Sequence, residues 1–231
     1  MVNVFSKRIV AYIVDILIVA IVSGIITMAI PVSKEYNKAY EGYSEAVEKV
    51  LENRDNASEY KEVLNNYSYD MNKESIPVSI VTLFISIIYF VVGNYFWNGQ
   101  TFGKKLMKIK IASNNRKKLT MNNYLIRALI INSALMNIIN IVLLMFLKKS
   151  VYLSVNNVLT YFFGAIYIVA FGMMSFRTDG RGLHDIIANT KVISTKTKEK
   201  DIEEEVEVKN EDTKLKDAEI IKERKVKERK V

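Results

Sequence analysis

The sequence predicts an all-α integral membrane protein: four transmembrane helices, both termini cytoplasmic, and a small β pairing on the cytoplasmic face. Three observations carry this. Half of the 231 residues are apolar while a quarter are charged, and the two kinds fall into separate long blocks instead of interleaving. Four of the apolar blocks are long enough to cross a bilayer. The basic residues also concentrate in one of the loops between them, and that loop contains no acid.

The spans are expected at about 9–30, 76–97, 124–147 and 151–176. Their only charges are Asp15 in the first and Arg127 near the start of the third. At about 1.5 Å per residue, each block covers the roughly 30 Å of a hydrocarbon core as a helix, the form that satisfies its own backbone in lipid. The first block is too long for a secretory h-region and is followed by no small-residue cleavage site, so it reads as a span. Loop 98–123 carries seven Lys or Arg and no acid; loop 31–75 carries six basic and ten acidic residues. Basic loops stay inside, which puts 98–123 and the amino terminus, with Lys7 and Arg8, in the cytoplasm and 31–75 outside. The turn Lys148-Lys149-Ser150 dissents, being basic yet on the outer side.

In the outer loop, Tyr36, Tyr40, Tyr43, Val47 and Val50 recur at intervals of three and four, an amphipathic helix. It reads as a cap on the outer ends of the spans, with a ligand or partner domain as the alternative. The sequons at Asn56 and Asn66 are too short a signal to weigh. The tail 194–231 holds twelve basic and twelve acidic residues, with no aromatic and no glycine, and cannot bury a core. It is expected to be a separate cytoplasmic segment appended to a membrane domain of residues 1–193, with its basic end within reach of anionic lipid.

Composition narrows the chemistry. There is no cysteine, hence no disulfide, thiolate metal site or cysteine nucleophile, and one histidine, His184, hence no multi-histidine site. No phosphate-binding glycine loop, paired catalytic carboxylates or nucleophile elbow is present, so neither an enzyme nor a cofactor or metal protein is expected. The net charge of +8 lies partly in a membrane-bracketed loop, which argues for lipid as the partner over nucleic acid.

A charge inside a span is expensive and marks either a pairing or a pathway. Arg8, Ala11 and Asp15 share one helix face, with Arg8 able to snorkel to the headgroups. Arg127 lies at a similar depth and is the expected partner of Asp15, either as an ion pair that fixes register or as part of a cation or proton site. Ser133, Asn137 and Asn140 form a polar stripe on the third helix, expected to bond helix to helix.

Two further segments matter for their spelling. One contains Gly99-Gln100-Thr101-Phe102-Gly103-Lys104; the other contains Leu183-His184-Asp185. With Arg8-x-x-Ala11-x-x-x-Asp15 and the arginine Arg127 opening the third span, the chain resembles the RDD family of bacterial membrane proteins. The resemblance runs to about residue 193, less the outer loop, and assigns the family's named arginine and aspartates to Arg8, Asp15 and Asp185. It implies a multi-pass cell-membrane protein that transports ions or small solutes, some relatives being proposed to exchange cations for protons. The expected site is then Arg8, Asp15, Arg127, His184 and Asp185, with Gly99, Gln100, Thr101, Gly103 and Lys104 as its cytoplasmic turn. The alternative is a non-transporting anchor or assembly module acting through the outer loop and tail. Four helices make a small transporter, which a homo-oligomer would enlarge.

Finally, 108–111 alternates charged and apolar residues and 190–194 is rich in β-branched ones. Both leave the membrane on the same side. Pairing them as a sheet would satisfy their backbones and bring the Gly99–Lys104 turn to His184 and Asp185; two separate surface extensions are the alternative.

Overall fold

The computed structural model describes residues 4–52, 57–115 and 117–195. The described residues up to Val192 form one compact unit. The tail beyond residue 195 and the sequon at Asn56 lie outside the described residues.

Helix α1 (Val4–Thr27) buries Ala11, Asp15, Val19 and Ser23, every fourth residue, and exposes Ile13, Leu17, Ile21 and Ile25. The polar residues face inward and the large apolar ones outward, the arrangement that suits lipid. The second span runs from Ile76 to Phe96 as α4 (Ile76–Ile87), a π-helical segment (Ile88–Gly93) and α5 (Asn94–Phe96). A final long helix, α9 in chain order (Lys149–Phe176), is the third that is long and apolar enough to cross a membrane.

The third apolar block is not the single helix expected. It is α7 (Met121–Ile131) and α8 (Ala134–Phe146), bent by 68° at Asn132 and Ser133. Ser133 adopts the left-handed conformation, φ 55°, which ends α7. Among the described residues, three helices are therefore long and apolar enough to cross a membrane, or four if the bent pair counts as one span. The polar stripe is split accordingly. Ser133 forms the break, while Asn140 does bond helix to helix, accepting from the Tyr152 hydroxyl at 2.7 Å.

The outer loop holds two helices, α2 (Lys34–Glu52) and α3 (Ala57–Glu74), packed on each other. The seam of α2 is made by Ala39 and Ala46, with Tyr40 left 54% exposed and stacked on Tyr36. Tyr36, Tyr43, Val47 and Val50 of the row are half-buried beside them. Helix α3 caps the α8–α9 end: Tyr69 packs edge-on against Tyr152, and Asp70 binds Lys149 at 2.8 Å. That ion pair accounts for the basic turn at 148–149.

After α5 come α6 (Phe102–Leu106) and strand β1 (Ile109–Ser113); after α9 come α10 (Leu183–Ile187) and strand β2 (Thr190–Ser194). The strands pair as a two-stranded sheet, as the alternation predicts. Asn114 N, just past β1, donates to Asn189 O, just before β2, so they run in opposite directions. Ile111 packs with Val19, Phe90, Val91, Tyr124 and Ala128, which fastens the sheet to the membrane helices.

Candidate functional site

Two buried carboxylates organise this end of the bundle. The first is Asp15, 1% exposed. Its Oδ1 accepts from the Tyr89 hydroxyl at 2.7 Å and from the Gly103 amide at 2.8 Å, and its Oδ2 accepts from the Thr101 hydroxyl. Asp15 thus binds the Gln100–Lys104 turn to α1. The turn is shaped for it. Gly99 has φ +82°, and a Cβ there would strike the Ile111 carbonyl. A Cβ on Gly103 would strike the carbonyl of Ala11 and come within 2.8 Å of Asp15 Oδ1. Gln100 donates to Ile109 O at 3.0 Å and locks the turn onto β1.

Lys104 is the cation nearest Asp15, at 3.9 Å, and its ammonium donates to Thr101 Oγ1 at 3.0 Å. Burial pushes the Lys104 amine down to about 7, against the pull of Asp15 and with the repulsion of Arg127 and Arg8. Asn94 lies at the edge of hydrogen-bonding distance from it, at 3.5 Å.

The second carboxylate is Asp185, fully buried. Arg127 donates to its Oδ1 and Arg8 to its Oδ2, and the Gly182 amide donates to Oδ2 at 3.1 Å. Arg127 also donates to Thr190 Oγ1 at 2.6 Å. Asp185 therefore ties α1, α7, α10 and the first residue of β2 together. Burial alone would raise its carboxyl, but Arg127 and Arg8 hold it well below the usual range.

The expected Asp15–Arg127 pair is thus replaced by two others, Asp15–Lys104 and Asp185–Arg127. Nor does Arg8 snorkel. It turns inward, donating to Gly180 O at 2.6 Å as well as to Asp185. Its Nη2 lies 3.2 Å from His184 Nε2. An arginine can only donate, so Nε2 accepts and the neutral ring carries its proton on Nδ1. Burial, reinforced by Arg127, pushes His184 down to about 3, so its 3.4 Å approach to Asp185 is not an ion pair at neutral pH.

Above the two carboxylates lies a cavity of about 500 Å³. Its charged wall is Arg8, Asp15, Lys104, Arg127 and the ring of His184; its remaining walls are mostly apolar faces of α1, α7 and α9. Tyr12 closes part of it and donates to Ile131 O at 2.9 Å, a carbonyl at the α7–α8 break.

All ten expected residues lie in this region, in two linked subsites. The sequence reading did not single out Tyr89, Asn94, Thr190 or Tyr167. Tyr89 and Asn94 sit in a span with nothing local to mark them. The π segment, with its i→i+5 repeat, is what brings residues five apart onto one face. Among the described residues, no group of three or more His, Asp or Glu could hold a metal ion.

The RDD family profile matches residues 2–189. Comparison with curated proteins and with solved structures returned no match. The profile covers α1, the turn, Arg127 and the Leu183-His184-Asp185 motif together, and on that span the chain is a member of the RDD family of membrane proteins.

Proposed function

We propose that this protein carries ions or small solutes across the cell membrane, and that the cluster around Asp15, Lys104 and Asp185 is the inner end of the route. The supporting observation is the cavity: a space of about 500 Å³ between membrane helices, with buried charge at one end. Isolated buried charges are costly in a bilayer and are found where they pair or line a pathway. The basic loop and amino-terminal Lys7 and Arg8 favour a cytoplasmic location for this end under the positive-inside rule.

In an exchange of a cation for a proton, Lys104 is the better proton carrier. Asp15 already accepts three hydrogen bonds, whereas Lys104 is poised near neutrality and faces the cavity. Lys104→Gln is expected to keep the fold and lose coupling to an imposed pH gradient in proteoliposomes, and Asp15→Asn to lose flux altogether. A folded wild type that dissipates no cation gradient and moves no small solute tested, amphiphilic anions included, would end the transport reading.

One observation favours the alternative of an anchoring module. Both carboxylates are saturated with donors, as in a fixed scaffold. An absence of flux together with a partner released by deleting 194–231 would establish that role.

A further inference from the structure

The cavity wall has a surplus of donors. Three cations, Arg8, Lys104 and Arg127, border it against one carboxylate, Asp15; Asp185 stands behind the two arginines. Two of the residues that line it also carry a buried polar atom with no hydrogen-bond partner among the described residues: His184 Nδ1 and the Tyr167 hydroxyl. The first carries a proton, because Nε2 accepts from Arg8, and the second has a proton to give. Buried donors call for acceptors. The rest of the wall is mostly apolar, with Asn94, Asn132 and Ser133 among it. On α9 it is Tyr167, Ala170, Phe171 and Met174, spaced three and four apart, one helix face about 10 Å long. Phe5 and Ile9 of α1 and Ile131 of α7 also line it.

A small hydrated cation suits neither the positive end nor the apolar walls. We propose that the cavity binds a single-chain amphiphile with an anionic oxygen head, the head among Arg8, Lys104 and Arg127 and the chain between α1, α7 and α9. The volume, about 500 Å³, lies within the roughly 300–1,000 Å³ of ordinary ligand pockets. This names the substrate class of the transport reading, and rests on that reading only for the ligand's movement, not for its binding.

The test is photolabelling of the full chain in phosphatidylcholine nanodiscs by dodecanoate carrying a diazirine in its chain. Labels are expected on the cavity face, at Tyr167, Phe171 and Met174 of α9 or Phe5 and Ile9 of α1. Dodecanoate and dodecyl phosphate should both compete; acetate and dodecylammonium at equal concentration should not. Competition by acetate would mean that the head alone is recognised and would overturn the amphiphile. Tyr167→Phe should raise the competing concentration about three- to tenfold through one lost hydrogen bond. Tyr161→Phe, at a residue 77% exposed, should not. Labels spread over Val158, Tyr161 and Ile168 without competition, equal competition by dodecylammonium, or no effect of Tyr167→Phe would each overturn the proposal. Competed labelling without flux would leave it standing and remove transport; flux without such labelling would do the reverse.

Discussion

Gly103 lies against the backbone of Ala11 with no room for a Cβ between them. The glycine of the loop motif and the alanine of the first-span motif are two sides of one contact, and Asp15 spans it by accepting the Gly103 amide.

Gly103→Ala is therefore expected to destabilise by about 1–3 kcal/mol, as overpacking does, and to lower the melting temperature of the purified protein. Gly24→Ala, where a Cβ meets nothing within 4 Å, is the control and should not lower it. Equal behaviour of the two variants would rule out the close approach.

Asp185 pairs with two buried arginines at once. Asp185→Asn should cost about 3–5 kcal/mol, because it leaves both unpaired. Adding Arg127→Gln to it should cost less than the sum of the single changes. For comparison, Arg177 and Asp179 form an exposed pair, and Asp179→Asn should have little effect. A melting temperature as mildly affected by Asp185→Asn as by Asp179→Asn would show that the clasp is not formed.

Acid should loosen this end of the molecule, and the sign follows from His184. Its ordinary value is about 6.5, and in the fold it is pushed down to about 3. Between those values the unfolded chain binds a proton that the folded chain excludes, so stability falls as pH drops from about 6.5 towards 3. Asp185, held below the ordinary carboxylate range, adds a loss as pH falls below about 4. The melting temperature of His184→Gln should depend less on pH between about 6.5 and 4 than that of the wild type. An unchanged slope would mean that His184 is not held neutral.

Ser133 holds a left-handed backbone conformation that costs an L residue about 1–2 kcal/mol. Ser133→Gly should relieve it and stabilise, and Ser133→Val should destabilise. If the order is reversed, α7 and α8 form one continuous helix.

The orientation can be read in intact cells with a membrane-impermeant thiol reagent. Both test positions, Ser44 and Asn115, are exposed. Ser44→Cys should label and Asn115→Cys should not; the opposite pattern inverts the topology.

Much of this architecture was legible in the sequence because it follows from local periodicity. The apolar blocks read as membrane helices, and the alternation at 108–111 read as a strand. The break at Ser133 was hidden because Asn132-Ser133 contains neither glycine nor proline and is flanked on both sides by apolar residues. In α2 the row of tyrosines and valines is half-buried apart from Tyr40, but the most buried positions, Ala39 and Ala46, are alanines that a reading of large apolar residues passes over. The membership of the site was readable from its motifs, while its pairings were not. Depth in a span says how far along the helix Arg127 sits, and nothing about which neighbouring carboxylate it faces.

The π segment at Ile88–Gly93 has one last consequence. It packs a surplus residue into the second span, so the site depends on the length of that helix as well as on its letters. Removing one residue there would let the segment relax into an ordinary helix with the downstream chain on nearly its present azimuth, whereas a second extra residue would swing that chain by about 100° relative to the membrane-embedded half. Every family motif would survive intact in the sequence, yet the Gly99–Lys104 turn would arrive at the wrong azimuth to meet Asp15. In this protein a silent-looking insertion among apolar residues is more dangerous than many substitutions within the motifs.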